Sequence, residues 1–368
     1  MSRVLDTFLD LVRISSPTGR ERGVAEYCEK ALRDAGCSVR FDETQDTTGS
    51  DTGNVIATLP GSAPGVHIAL SAHMDCVDPC EGVEPIVEGG VVRSAGDTVL
   101  GGDDKVGVAA ILETIRRLSE SGEPHVDMKV LLTVGEEQGL NGAKALARDD
   151  ASADVCLVLD ADGPIGGIVT SAPTHYTFEA RFAGKAAHAG VEPENGISAI
   201  AMAADAIAHM ELGRLDERTT ANIGTIQGGS ATNVVAPVCI VTGECRSRDR
   251  ERVEEVRAGM DAALKDAAAS HGGSVEISWV LAYEGFDVPA DSPAVVVVES
   301  ACEDIGVTSS RFATGGGSDG NVIAALGTPT VVLATGMTKV HTTDEELAVA
   351  DLERLADLLV AVARRAVR

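Results

Sequence analysis

Two kinds of hydrophobic pattern alternate along the chain. Apolar residues recur at helical spacing in several segments, residues 4–14, 22–35, 105–119 and 351–365. Short apolar runs rich in β-branched residues occupy others, residues 66–73, 129–135, 155–160 and 328–334. Helices that alternate with buried strands are typical of an α/β fold. The pattern therefore predicts a mainly parallel sheet covered by helices.

The pattern changes after Ala172 and Pro173. From there the predicted elements are, in order, strand 175–183, helix 196–212, strand 222–227, strand 238–246, helix 250–269 and strand 274–281. This βαββαβ order predicts an inserted, ferredoxin-like α+β domain. The α/β pattern resumes after Pro289. We therefore expect a discontinuous first domain, residues 1–173 and 282–368, interrupted by a second domain, residues 174–281.

The charge balance excludes two classes of partner. The chain of 368 residues has 57 acidic and 30 basic residues, which gives a formal net charge of −27. Because nucleic acids and anionic membranes attract basic surfaces, we expect neither as a partner. The longest purely apolar stretches are also far shorter than the ~20 residues of a membrane-spanning helix. The composition therefore predicts a soluble globular protein.

The cysteines and the N-terminal helix bear on the cellular compartment. The eight cysteines are scattered without paired spacings, which favours reduced thiols over disulfides or zinc thiolates. Cys76 and Cys80 are close in sequence, but a CxxxC spacing alone assigns them no role. Asp6 and Asp10 interrupt the apolar positions of the first helix, unlike the core of a signal peptide. We expect a cytoplasmic protein.

Acidic residues and histidines follow the predicted strands. They occur in "LSAHMD", "LLTVGEE", "CLVLD" and "TVVLATGMTKVH", and in the glycine-rich loop "GGDDKVG" that opens a helix. In chain order they are His73, Asp75, Asp103, Asp104, Glu136, Glu137, Asp160 and His341. Because the carboxyl ends of parallel strands meet at one edge of a sheet, these side chains are expected to share one crevice.

Each of these residues also has a structural interpretation. A histidine beside a strand end is often an ordinary core residue, and two adjacent glutamates are more often an exposed turn. Asp104 fits the N-cap of the following helix, and Asp160 alone would be a turn residue. As a set, however, imidazoles and carboxylates at one edge form a ligand set suited to zinc or a similar divalent ion.

Five sequence blocks carry a resemblance to a known family. "SAHMD", "GGDDKVG", "GEEQG", "LVLDADGP" and "VHTTDE" resemble, in the same order, the blocks of the dinuclear zinc peptidase family that includes peptidase T, carboxypeptidase G and aminoacylases. The blocks span nearly the whole chain and are most similar to the peptidase T branch. The resemblance implies two zinc ions per chain, although the same ligands accept cobalt or manganese.

The resemblance also implies a role for each metal ligand. By similarity, Asp103 bridges the two ions. His73 and Asp160 would complete one ion. Glu137 and His341 would complete the other. Two such ions lie roughly 3.5–4 Å apart, so a shared anion is needed to relieve their repulsion.

Two further acids are expected to act beside the metal. Asp75 lies two residues after His73 and projects to the same face of a strand, so it should orient the imidazole rather than bind metal. Glu136 adjoins the ligand Glu137, but successive side chains diverge. Glu136 is therefore expected to face the substrate and act as the general base that takes a proton from water and passes it to the leaving amine.

The inserted domain resembles the family's lid or dimerisation domain. "GKAAHAG" presents His188, which is similar to the lid histidine that reaches into the facing subunit's site and stabilises the oxyanion. Asn233 in "ATNVVA" and Arg246 in "GECRSRD" are similar to residues that hold a substrate carboxylate, with Arg248 as a competitor. The resemblance therefore implies a homodimer formed through the lid domain.

The stretch "GGGSDG", Gly315–Gly320 in the sequence, formally satisfies GxGxxG. A dinucleotide site is a poor interpretation, because no full βαβ unit with a ribose-binding acid follows. We expect instead a flexible loop whose backbone N–H groups, at Gly316 and Gly317, approach the substrate. The remaining histidines match no block and are expected to be structural or on the surface: His67, His125, His175, His209 and His271.

The resemblance thus implies a zinc metallopeptidase that removes the N-terminal residue from short peptides in the manner of peptidase T. An N-acyl-amino-acid amidohydrolase or a dipeptidase on the same scaffold is the alternative. These enzymes share the metal site and differ in the part of the substrate that they bind. A non-catalytic metal-binding protein is a weaker alternative, since it would not need Glu136 beside its ligands.

Overall fold

A computed structural model describes residues 2–367. The helices are α1 (Arg3–Arg13), α2 (Arg22–Asp34), α3 (Gln45–Thr48), α4 (Gly102–Ser121), α5 (Asn141–Ala145), α6 (Arg148–Ala151), α7 (Ala199–Ala208), α8 (Arg250–Ser270), α9 (Pro293–Asp304), α10 (Asp319–Ala325) and α11 (Val349–Arg365). One 3₁₀ helix spans Pro193–Asn195.

The strands are shorter and more numerous than the helices. They are β1 (Ser38–Phe41), β2 (Val55–Leu59), β3 (Ile68–His73), β4 (Pro85–Glu88), β5 (Val91–Ser94), β6 (Met128–Thr133), β7 (Val155–Ala161), β8 (Gly167–Ala172), β9 (Thr174–Ala183), β10 (Gly213–Arg214), β11 (Thr219–Gly228), β12 (Val238–Ser247), β13 (Ser274–Tyr283), β14 (Phe286–Asp287), β15 (Ser310–Ala313), β16 (Thr330–Ala334), β17 (Met337–Thr338) and β18 (Glu346–Ala348).

The chain divides into two compact units. The first unit contains the residues up to Thr170, Val288–Ala313 and the residues from Ser318 onward. The second contains Ser171–Asp287 and Thr314–Gly317. The inserted domain predicted at 174–281 lies inside the second unit, which extends beyond it at both ends and adds part of the glycine-rich loop.

The main sheet of the first unit has the strand order β1-β2-β6-β3-β7-β16-β8. Its centre is parallel, because β3 pairs in parallel with β6 and β7, and β16 pairs in parallel with β7. The outer strands β1, β2 and β8 run antiparallel to their neighbours. The α/β fold class with a mainly parallel sheet is therefore confirmed, and the parallel strands are the ones that precede the candidate ligands.

Helices pack on this sheet through apolar faces. In α1 the residues at helical spacing, among them Val4, Phe8, Leu11 and Val12, are fully buried. Helices α1, α4 and α11 pack against one another, and α4 also lies against β3 and β7. A separate four-stranded sheet, with the order β17-β18-β5-β4, was not predicted, because its short strands are partly exposed and have no continuous apolar run.

The second unit contains a five-stranded antiparallel sheet with the order β10-β11-β12-β9-β13. Helices α7 and α8 pack against it and against each other. The side chain of Asp249 caps α8 by accepting hydrogen bonds from the N–H groups of Glu251 and Arg252. Apart from the short β10, these elements follow the predicted βαββαβ order. Within residues 2–367, no helix is both long enough and apolar enough to cross a membrane.

Candidate active site

The carboxyl ends of four neighbouring parallel strands carry the candidate ligands. β3 ends at His73, and β6 is followed by Glu136 and Glu137. β7 contains Asp160 near its end, and the chain after β16 leads to His341. Because β6, β3, β7 and β16 are adjacent and parallel, their side chains reach one edge of the sheet.

Asp103 lies between the two histidines. Its Oδ1 is 3.1 Å from Nε2 of His73, and its Oδ2 is 3.2 Å from Nε2 of His341. The second histidine is also 3.1 Å from Oε1 of Glu137. One carboxylate therefore offers one oxygen to each of two neighbouring positions, which is the geometry that a shared ligand of two cations requires.

Asp160 lies on the His73 side of this arrangement. Its Oδ1 is 3.9 Å from Nε2 of His73. Ligand atoms of His73, Asp103 and Glu137 lie within 4.8 Å of one another, as do those of His73, Asp104 and Asp160. The structure thus brings together every predicted metal ligand.

Asp104 also lies in this cluster, but backbone groups occupy its carboxylate. Its Oδ2 accepts a hydrogen bond from the N–H of His73, and its Oδ1 accepts one from the N–H of Gly107. The second contact is that of an N-cap, in agreement with the structural interpretation of this residue. The peptide bond between Asp103 and Asp104 is cis. The carboxylate of Asp103, in contrast, faces the two histidines.

Asp75 supports both His73 and the two glutamates. Its Oδ1 lies 3.3 Å from Nδ1 of His73 and accepts a hydrogen bond from the N–H of Glu136. Its Oδ2 accepts hydrogen bonds from the N–H of Glu137 and the hydroxyl of Thr18. A carboxylate held on several sides fixes the imidazole that it contacts.

The site contains more acidic side chains than positively charged groups, and this imbalance shifts their pKa values. Burial, followed by the charge of Asp103, raises the pKa of Asp160 well above its usual value. Burial and the charge of Asp160 raise the pKa of Glu136 in the same way. Contacts with Asp103 and Glu137 raise the pKa of His341 to about 10. Like charges this close repel unless cations lie among them, so the donor set fits divalent ions.

Two residues that the sequence did not single out hold this edge of the sheet. Glu345, which is buried, accepts hydrogen bonds from the N–H groups of Gly101 and Asp103, at 2.8 and 2.9 Å. Asp319, also buried, accepts a hydrogen bond from the hydroxyl of Thr133. Glu345 lies in the "VHTTDEE" stretch, so its sequence neighbourhood was a signal, whereas Asp319 lies within the "GGGSDG" stretch, which suggested only backbone contacts.

In the second unit, His188 and Asn233 are neighbours on the surface. Both residues are exposed. The N–H of Ala189 donates to the carbonyl of Asn233, and His188 forms an isolated bridge with Val234. The two loops that carry the predicted lid residues are therefore tied together through their backbones.

Arg246 lies elsewhere in the second unit, within a polar cluster. Its guanidinium donates to Glu244 at 2.9 Å and to the hydroxyl of Tyr283 at 3.3 Å. His175 also contacts Glu244, at 2.9 Å. The Nε of Arg246 is buried and has no hydrogen-bond partner among the residues from 2 to 367. Arg248, in contrast, donates to the carbonyl of Glu217.

The glycine-rich loop meets the same cluster. A Cβ atom at Gly317 would lie within 2.6 Å of ring atoms and the hydroxyl of Tyr283, so only glycine fits there. The N–H of Gly316 donates to the hydroxyl of Thr314. This loop is packed within the second unit at Gly317 and exposed at Gly316.

The other histidines and the cysteines lie outside the ligand cluster. His67, His209 and His271 contact acidic groups of the surface, and His125 contacts the backbone of Val126. All eight cysteines are free thiols and buried, as the scattered spacing predicts.

Comparison with known proteins is consistent with this geometry. A profile of the peptidase family M20/M25/M40 matches residues 69–365. Protein YqjE of Bacillus subtilis is 43% identical over 366 residues, which cover 100% of this chain and 99% of the relative.

Two solved structures are similar over nearly their whole length. Aminopeptidase PepT from Bacillus cereus has 43% identity and a TM-score of 0.93, with 99% of this chain and 98% of that chain covered. A tripeptidase from Staphylococcus aureus has 37% identity and a TM-score of 0.95, with 98% and 97% covered. The predicted family and enzyme class are confirmed: the chain is a hydrolase that belongs to the peptidase family M20/M25/M40.

Proposed function

We propose that the protein is a dizinc aminopeptidase that removes the N-terminal residue of short peptides, with tripeptides as the preferred substrates. The observation that carries the proposal is the position of Asp103 between His73 and His341, with the buried Glu136 on the same edge of the sheet. The similar aminopeptidase and tripeptidase structures support the same activity.

In this proposal each ligand has one role. Asp103 would be shared by two zinc ions. His73 and Asp160 would help to hold the first ion, and Glu137 and His341 would help to hold the second. We propose zinc because imidazole nitrogens and carboxylate oxygens are donors that it favours. Cobalt or manganese would suit the same donors. Metal analysis of the purified protein should find two zinc ions per chain.

The protein's own residues then position the proton transfers. When bound, the metal pair polarises the scissile carbonyl and lowers the pKa of the attacking water. Glu136 takes a proton from that water and delivers it to the leaving amine. Asp75 holds the N–H groups of both glutamates and the ring of His73, so the base and one ligand keep a fixed relation.

For the second unit we propose substrate binding. His188 would stabilise the oxyanion, and Asn233 and Arg246 would hold the substrate carboxylate. The buried, unpartnered Nε of Arg246 supports this role, because such a donor favours an incoming acceptor. Gly317 would contribute its backbone N–H, and Gly316 is the weaker candidate because its N–H already donates to the hydroxyl of Thr314. Arg248 is the weaker candidate because its side chain already donates to the backbone.

We propose that two chains associate through the second unit. β10 pairs with β11 only at Thr220 and Ala221. Along residues 222–228, the outer edge of β11 has no strand partner within the part of the chain that the structure describes, and Ile226 is 49% exposed there. An open, partly apolar strand edge favours pairing with a second copy. Light scattering after gel filtration should give the mass of a dimer.

A cytoplasmic location is also part of the proposal. It is supported by the eight free cysteines, because proteins of reducing compartments keep their thiols unpaired.

The substrate proposal is tested with a matched pair of peptides. The metal-loaded enzyme should release the first residue of a tripeptide and leave the N-acetylated form of the same tripeptide uncut. Cleavage of the acetylated peptide alone would reject the aminopeptidase and favour an N-acyl-amino-acid amidohydrolase. A dipeptide with the same first residue distinguishes a dipeptidase, which would prefer it to the tripeptide.

A further inference from the structure

We propose that Glu21 is a positioning residue for the general base Glu136, a role that rests on the proposed function. Glu21 lies at the N-terminus of α2, more than a hundred positions before the base. Its side chain is fully buried. It belongs to no sequence block that indicated the metal site, and it contacts none of the candidate ligands.

The carboxylate of Glu21 has three donors around it. Its Oε1 accepts hydrogen bonds from the N–H groups of Gly19, at 2.9 Å, and Gly135, at 3.1 Å. Its Oε2 accepts one from the hydroxyl of Ser50, at 2.6 Å. A buried carboxylate is expensive to hold without such partners. The contact with Gly135 is the one that matters for the base, because it fixes the residue immediately before Glu136.

Side chains hold every backbone N–H from the end of β6 to the second glutamate. Asn54 Oδ1 accepts from Val134, and Glu21 accepts from Gly135. The two oxygens of Asp75 accept from the residues that follow, Glu136 and Glu137. Because these N–H groups all point at fixed acceptors, the peptide planes on both sides of Glu136 cannot rotate freely. The direction in which the base leaves the backbone is thereby set.

Gly135 makes this arrangement possible. Its φ is +62°, in the left-handed region that favours glycine. A residue in this conformation turns successive N–H groups toward a common side, where they form a concave anion-binding surface. Glu21 and Asp75 are the two anions that this surface receives.

The segment before α2 links the two anions. The N–H of Cys76 donates to the carbonyl of Ser16 at 2.9 Å, and the hydroxyl of Thr18 donates to Oδ2 of Asp75 at 2.7 Å. Glu21 follows three residues later and reaches Gly135. The segment of residues 16–21 therefore holds the loop of the base directly through Glu21 and indirectly through Asp75.

The length of the side chain at position 21, rather than its charge, should decide whether it can accept the hydrogen bond from Gly135. Glu21→Gln keeps an oxygen that can accept from Gly19 and Gly135, and its amide can donate to Ser50. Glu21→Asp keeps the charge but withdraws the oxygens by one methylene. Glu21→Ala removes all three contacts. Glu113→Ala is the matched control, because Glu113 is also a buried acid, paired with Arg3 and Arg117. It lies about 15 Å along α4 from Asp103.

The kinetic test uses the full-length, metal-loaded enzyme and a tripeptide. Glu21→Ala and Glu21→Asp should lower kcat by about 10–100-fold, because small misplacements of a catalytic group have effects of this size. KM and metal content should change by less than about 3-fold. Glu21→Gln should recover most of kcat, and Glu113→Ala should keep it. Equal losses in all of these variants, or a loss in Glu21→Gln with full activity in Glu21→Asp, would overturn the proposal.

A second measurement does not depend on activity. Hydrogen–deuterium exchange of a peptide covering residues 131–140 should become at least about 10-fold faster in Glu21→Asp than in the wild type, since the N–H of Gly135 loses its acceptor. Glu21→Gln and Glu113→Ala should exchange like the wild type. Unchanged exchange in Glu21→Asp would contradict the proposal that Glu21 holds the N–H of Gly135. If the wild type cleaves no tripeptide but exchange responds as expected, the substrate proposal is wrong and the positioning role of Glu21 is retained.

Discussion

His73 and His341 contact different oxygens of the Asp103 carboxylate, but their surroundings differ. We call His73 and Asp160 the buried half-site, and Glu137 and His341 the open half-site. The side chain of His73 is 2% exposed, and its Nδ1 lies beside Asp75. The side chain of His341 is 51% exposed, and His341 itself has a φ of +61°. Its loop carries other exposed residues, Thr342, Thr343 and Asp344.

This difference would make the two proposed metal positions unequal. A histidine whose second nitrogen is held by a carboxylate is oriented before the metal arrives. An exposed histidine must be ordered when the metal binds, and that ordering costs conformational entropy. We therefore expect the buried half-site to bind its ion more tightly, and the open half-site to exchange its ion more readily.

The largest effect should come from a residue that belongs to neither half-site. Glu136→Gln should lower kcat by roughly 10²–10⁴-fold, because only general-base catalysis is removed. Both ions should remain bound, since Glu136 is not a proposed ligand. Steady-state kinetics and metal analysis on the same preparation check both statements. A variant that hydrolyses at the wild-type rate would mean that another group is the base.

Removing the support of the buried half-site should have the next largest effect. Asp75→Ala frees the ring of His73 and the N–H groups of both glutamates, so metal affinity or activity should fall by roughly 10–100-fold. Metal titration of the apoprotein measures the affinity of each ion. Thr18→Val is the control, because it removes only the hydroxyl that contacts Asp75, and its effect should be much smaller. If Asp75→Ala still binds one ion with the wild-type affinity, the proposed difference between the half-sites is wrong.

Partial removal of metal tests the inequality directly. A weak chelator should remove one ion per chain before the other, with dissociation constants about 10-fold apart or more. His341→Ala should retain close to one ion under conditions that leave the wild type with two. His73→Ala should retain less than His341→Ala, because it disrupts the tighter position. Simultaneous loss of both ions at every chelator concentration would show that the half-sites are equivalent.

The smallest expected effect concerns pH and stability. The folded protein without metal raises the pKa of Asp160 and Glu136, so the folded state holds their protons more tightly than the unfolded state. Its stability should therefore rise as pH falls from 8 toward 5.5 and fall as pH rises. Protons compete with metal for the same ligands, so the gain in Tm on adding zinc should shrink over the same interval.

Calorimetry with and without EDTA at several pH values measures this gain. Asp160→Asn should weaken the pH dependence of the metal-free protein, because it removes one of the raised acids. A metal-free protein that becomes less stable between pH 8 and 5.5 would contradict the sign of the expected change.

The elements that carry His73, Glu137 and Asp160 could be predicted because each of these residues lies at or near the end of a buried strand. The run predicted at 155–160 is strand Val155–Ala161, and His73 is the last residue of Ile68–His73. Period and apolar content locate such strands, and parallel order brings their ends together. The helices α2, α8 and α11 begin within two residues of their predicted starts for the same reason.

The residues that brace the site could not be predicted in this way. Glu21, Asn54 and Glu345 act on backbone N–H groups that are distant in sequence, so no spacing connects donor and acceptor. Their partners are peptide groups, which carry no residue identity that a sequence pattern could reveal. The strands β1 and β2 were also missed, since they are short and run antiparallel at the border of the sheet.

Glu345 gives the open half-site an unexpected connection. It lies four residues after the exposed histidine, and its carboxylate holds the N–H of Asp103. A displacement of this turn therefore reaches the shared oxygen donors as well as the imidazole. Substitutions at positions 341 and 345 should not be additive. An inhibitor that displaces this turn would weaken the binding of both proposed cations, although it contacts only the cation of the open half-site.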